Sequence, residues 1–167
     1  MKKFIVLFTG LLLGSFLSVN AQVSTNKIPV ASDVKIGTLP NGLKYYIKYN
    51  AKPEKKVELR LVVNAGSILE DDDQQGLAHF MEHMNFNGLA HFPGNELVHY
   101  LQSIGVGFGN DLNAYTGFDQ TVYMLPVPSE DKETLDKAFT VIADWAYGSL
   151  LTDEEIDKER GVILSES

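Results

Sequence analysis

Apolar and polar residues along this chain repeat with periods of two and about 3.6 residues, after an opening stretch with no period at all. Phe4 to Leu17 is nearly all apolar. Leu43 to Tyr49 alternates, as does the start of Val57 to Val63, which is the pattern of half-buried strands. Thr38-Leu39-Pro40-Asn41-Gly42-Leu43 puts an Asn-Gly turn between two strand-like runs, and so predicts a hairpin. Glu70 to Gln75 reads as an acidic loop. The pattern then predicts a helix from Gln74 or Gln75 to Phe86, with Asp73 as N-cap and Asn87-Gly88 as its stop. Leu77, Phe80, Met81 and Met84 make that helix apolar almost all round, which predicts burial. Pro93-Gly94-Asn95 opens a short helix with Leu97, Tyr100, Leu101 and Ile104 on one face and Gly105 past its end. Asn110 to Thr116 and Thr121 to Val127 read as strands joined at Gly117-Phe118-Asp119. A longer helix starts at Ser129 or Glu130, carries Leu135, Ala138, Phe139, Ile142 and Trp145 at helical spacing, and stops at Gly148. A last helix begins at Thr152, which forms a capping box with Glu155, and runs to the chain end. Strands and helices mixed in this order predict an α+β fold, with helices packed on a mostly antiparallel sheet.

The aperiodic opening has a different meaning. Lys2 and Lys3 precede it, and Val19-Asn20-Ala21 presents small residues where a signal peptidase cuts. Residues 1–21 are therefore predicted to be a signal peptide, with Gln22 as the mature N-terminus. The apolar run falls short of the roughly 20 residues that span a bilayer. No stable membrane insertion is expected after cleavage, and the mature protein is expected in the periplasm or outside the cell. Residues 22–34 read as a flexible polar leader, and 35–167 as one domain. Hydrophobic residues make up 44% of the 167, enough for a core. The net charge of -8 argues against nucleic acid or an anionic membrane as partner. Without cysteine, disulfides, thiolate metal sites and a cysteine nucleophile are excluded.

The chemistry concentrates in His79-Phe80-Met81-Glu82-His83. Histidines four apart on a helix lie one above the other, so both imidazoles can reach one metal ion. Glu82 projects beside them and need not be a ligand. A catalytic zinc site needs a third protein ligand and an open position for water. The last helix offers Glu154, Glu155, Glu159 and Glu166. Glu155 has the cap to satisfy, and Glu154 reads as solvated. Glu159 shares a face with Ile156 and Ile163, so it points inward and calls for a partner. Glu166 lies on that same face and remains a rival.

His-x-x-Glu-His is the inverted zinc motif of the inverzincins. With its flanks, Gly76-Leu77-Ala78 and Met84, and with Leu39-Pro40-Asn41-Gly42-Leu43, it resembles the pitrilysin, insulin-degrading enzyme and mitochondrial processing peptidase family over roughly residues 35–167. That family carries a third, glutamate ligand about 76 residues downstream in a Glu-Arg-containing helix, and Glu159-Arg160 stands at that distance from His83. The resemblance implies a zinc metalloendopeptidase, with His79, His83 and Glu159 holding one Zn2+ and Glu82 as general base. It also implies peptide substrates that add as an extra strand along Asn110–Thr116, with Asn113 and Ala114 against the substrate backbone. Family members close two or four related domains around the substrate. The resemblance therefore implies further C-terminal domains or a partner subunit, and leaves open a zinc-binding fragment or a non-catalytic subunit. Three features are discounted: the glycines of Gly105–Gly109, which follow a helix rather than open one; Asp71-Asp72-Asp73, which reads as a solvated turn; and His91 and His99, which read as structural or surface residues.

Overall fold

A computed structural model describes residue 27, residues 29–107 and residues 113–166. The signal-peptide assignment, most of the leader, Phe108-Gly109 and the first part of the Asn110–Thr116 run lie outside these residues. Contacts divide the chain after Tyr49 into two compact units.

The first unit is an antiparallel hairpin of β1 (Val34–Thr38) and β2 (Lys44–Lys48). Its loop runs through Asn41-Gly42, where Gly42 takes φ +89°, a conformation glycine adopts without steric cost. The Asn41 side chain accepts the Leu43 N–H at 3.1 Å and closes the loop. A Cβ at Gly37 would sit 2.3 Å from the tip of the Tyr45 ring, which would have to turn aside.

The second unit has a three-stranded antiparallel sheet in the order β3 (Lys56–Val63), β5 (Thr121–Pro128), β4 (Asn113–Thr116). Its helices are α1 (Leu77–Met84), α2 (Glu96–Ser103), α3 (Lys132–Tyr147) and α4 (Asp153–Glu166). The α+β arrangement matches the sequence pattern. β5 is central and buried along most of its length, which agrees with its nearly continuous apolar run. Tyr123, Leu125 and Val127 from β5 meet Leu61 from β3, Leu97 and Leu101 from α2, and Ala138, Val141 and Trp145 from α3 in one core.

α3 differs from its prediction in two ways. Asp131 is its N-cap, accepting the Thr134 N–H at 2.9 Å, so the helix starts later than Ser129 or Glu130. Phe139, assigned to the inward face, is 54% exposed, while Val141 and Asp144 are buried. Ala138 and Trp145 are buried and Leu135 and Ile142 partly buried as expected, and Asp144 finds its partners on the inward side. Its carboxylate accepts the His91 backbone N–H at 2.9 Å and pairs with His91 Nδ1 at 2.9 Å, which anchors the loop before α2. His91 thus has a structural role.

α1 is shorter than predicted and is capped differently. Gly76, at φ +91°, precedes it with no side-chain cap of its own. The cap comes from Glu70, whose two carboxylate oxygens accept the Gly76 and Ala78 N–H groups at 2.9 and 2.8 Å. Asp73 is exposed and does not cap the helix. Nor is α1 buried all round: Leu77 is 52% exposed and Met81 39%, whereas Met84 and Glu82 are buried. The helix packs on α4, β4 and the Ser67–Leu69 turn, and these cover only part of its circumference. At its end, Asn85 and Trp145 exchange hydrogen bonds of 3.2 and 3.0 Å, tying α1 to α3. No helix among the described residues is long and apolar enough to cross a membrane.

Candidate metal centre

His79 and His83 occupy successive turns of α1, with ring centroids 4.6 Å apart and edge to face. Their Nε2 atoms approach to 3.1 Å. The other nitrogen of His83, Nδ1, lies 2.7 Å from Glu159 Oε1. A carboxylate oxygen accepts, so Nδ1 is the donor in this pair, and a neutral His83 ring would present its lone pair at Nε2. That lone pair faces the Nε2 of His79. Two imidazole lone pairs at this distance repel unless a proton or a cation lies between them.

The third group at this point is Glu166, whose Oε2 lies 3.6 Å from His79 Nε2 and 3.7 Å from His83 Nε2. Tetrahedral zinc with bonds of about 2.0–2.2 Å needs ligand atoms about 3.3–3.6 Å apart. The observed separations of 3.1, 3.6 and 3.7 Å bracket that edge length. The donor set, two neutral nitrogens and one carboxylate oxygen, is one that zinc takes. These residues therefore fit the ion.

Glu159, expected as the third ligand, stands elsewhere. Its Oε1 is on His83 Nδ1, and its Oε2 accepts a hydrogen bond from Asn87 Nδ2 at 2.7 Å. Its side chain is only 14% exposed, so the inward orientation read from Ile156 and Ile163 agrees with its position. Both of its oxygens are engaged away from the Nε2 pair.

Glu82 is buried beside this cluster and lines a cleft of about 450 Å3 with Ser67, Glu70, His79, Ala114 and Thr116. Thr116 Oγ1 donates to Glu82 Oε2 at 2.5 Å. Beneath it, burial pushes the Tyr123 phenol up to about 12; a hydrogen bond with Asn85 opposes the shift and the neighbouring Glu82 charge adds to it. Tyr123 is therefore a neutral neighbour of the carboxylate at physiological pH.

β4 is the edge of its sheet, paired with β5 on one side only among the described strands. Ala114 lines the cleft, and Asn113 is exposed at the start of the strand. Sequence reasoning missed Glu70, Asn87 and Thr116. Asn87 was legible only as a helix stop and Thr116 only as a strand residue, since their partners lie 72 and 34 residues away.

Comparison with known proteins bears on the same region. Residues 46–167 match the family described as Insulinase (Peptidase family M16). The chain is 40% identical over 99% of its length to a protein of Haemophilus influenzae named probable zinc protease PqqL, and covers 18% of that protein. It is also 40% identical, over 83% of its length, to the Escherichia coli protein of that name, covering 15% of it. The chain thus spans less than a fifth of the length of these relatives. The crystal structure of the first half of the periplasmic protease PqqL from Escherichia coli superposes with a TM-score of 0.80 over 83% of this chain and 30% of that one, at 40% identity. A family match over most of the chain, including every residue of the cluster, shows that this chain belongs to the insulinase family of peptidases.

Proposed function

We propose that this chain forms the metal-binding part of an exported, zinc-dependent endopeptidase acting on peptides or small proteins. The observation that carries the reading is the convergence of His79 Nε2, His83 Nε2 and Glu166 Oε2 beside the cleft that holds Glu82. In this reading His79, His83 and Glu166 hold the ion, and Glu159 takes the role of orienting His83 through Nδ1. Bound zinc supplies a Lewis acid and a water of lowered pKa. Glu82 accepts the proton of the attacking water and returns it to the leaving amine. Thr116 holds Oε2 of Glu82, leaving Oε1 to take that proton. The peptide adds to the open edge of β4, with its backbone against Asn113 and Ala114, so that the scissile bond lies over the cleft. Recognition through backbone hydrogen bonds suits a range of sequences. Export is supported by the signal-peptide pattern of residues 1–21 and by the description of the Escherichia coli relative as periplasmic.

A second reading is favoured by coverage: relatives more than five times as long supply further segments, and the chain binds zinc but needs those segments for cleavage. Elemental analysis and a peptide-cleavage assay separate the two. About one zinc per chain with cleavage supports the first reading, and zinc without cleavage supports the second. Glu82→Gln is expected to keep the zinc and lower any cleavage by about 10²–10⁴-fold. Undiminished cleavage by that variant overturns the general-base role.

A further inference from the structure

Asn87 follows α1 and contributes nothing to the motif. Its backbone is fixed on both sides: its N–H donates to Met84 O at 3.1 Å, and the next residue, Gly88, turns at φ +125° while its carbonyl accepts the Leu150 N–H at 3.1 Å. The side chain is part-buried and spends its Nδ2 on Glu159 Oε2 at 2.7 Å. Glu159 is a carboxylate, so the atom facing it must be the amide nitrogen. Glu159 is thereby held in a two-point clamp, Asn87 on one oxygen and His83 Nδ1 on the other, with both bonds charge-assisted.

We infer that Asn87 is a positioning residue that keeps Glu159 on Nδ1 of His83 and away from the metal. The inference rests on the metal-centre reading above and extends it to a residue outside the motif. A carboxylate with one oxygen unheld can rotate about its side chain and let go of Nδ1. The His83 proton is then free to move to Nε2, where it would block a ligand lone pair. With Asn87 in place, one tautomer of His83 is favoured before any ion arrives.

Asn87→Asp tests this, because it keeps the shape while replacing the donor by an acceptor facing Glu159. Zinc affinity of the full chain, measured by competition with a chromophoric chelator, is expected to fall about 10–100-fold, the range for residues behind a ligand. Asn87→Ala is expected to fall toward the lower end of that range. A filler of space would be replaced faithfully by Asp, so wild-type affinity in a folded Asn87→Asp chain overturns the inference. Should that variant not fold, the wild-type chain suffices. ¹⁵N NMR of metal-free His83 is expected to show the proton on Nδ1, and a proton on Nε2 overturns the clamp. Failure of the wild-type chain to bind zinc at all overturns the metal-centre reading along with it, which is distinguishable from loss of the Asn87 role alone.

Discussion

Glu166→Gln and Glu159→Gln remove the same charge from the same face of α4, yet the structure gives them unequal consequences. Glu166 Oε2 is 3.6–3.7 Å from both histidine Nε2 atoms, whereas Glu159 reaches the site only through the far nitrogen of His83. Zinc binding of about 10–16 kcal/mol spread over four ligands is about 2.5–4 kcal/mol for each, or roughly 10²–10³ in affinity. Glu166→Gln is expected to lose affinity on that scale. Glu159→Gln keeps an oxygen for Nδ1–H but turns an NH2 toward Asn87, and is expected to lose about 10–100-fold. Chelator competition gives both constants, and the visible spectrum of the cobalt-substituted chain reports the ligand set. Glu159→Gln is expected to keep the wild-type tetrahedral bands, and Glu166→Gln to alter them. The reverse ranking, with Glu159→Gln abolishing binding and Glu166→Gln harmless, refutes the reasoning and returns the third ligand to the residue chosen by sequence spacing.

Two further outcomes follow from the same geometry. Glu70→Ala removes the cap of α1 and is expected to cost about 0.5–2 kcal/mol in urea unfolding, while Asp73→Ala, which caps nothing, stays within about 0.5 kcal/mol; equal costs for the two would contradict the assignment of the cap to Glu70. Tyr123 has a folded-state pKa raised to about 12 by burial, against about 10 when unfolded, so the folded state holds the phenol proton more tightly. That contribution to stability is fully present below pH 10 and is lost as pH rises from about 10 toward about 12. Absorbance titration of the phenols with a Tyr123→Phe control checks it, and a folded chain in which Tyr123 ionises at the ordinary value contradicts it.

Much of this protein was written in its local sequence. Alternation located β2 and β3, and 3.6-residue spacing located α2 and α3, because each pattern reflects which side of one element meets its neighbours. His79, Glu82 and His83 were readable together because five consecutive helical residues bring them to one place without help from the rest of the chain. Features that depend on a distant partner were not readable. The cap of α1 comes from Glu70 rather than the nearer Asp73 because the loop folds back over the helix end. The burial of Asp144 on α3 was not readable either, because its partner, His91, lies 53 residues earlier. The two glutamates of α4 mark the boundary most sharply. Glu159 and Glu166 are seven residues apart, almost two full turns, so periodicity places both on the same face and cannot choose between them. The choice depends on how far α4 slides along α1, which brings Glu166 to the histidine Nε2 pair and Glu159 to Nδ1 with Asn87. That offset is set by packing between elements about seventy residues apart in the chain, and only the tertiary structure contains it.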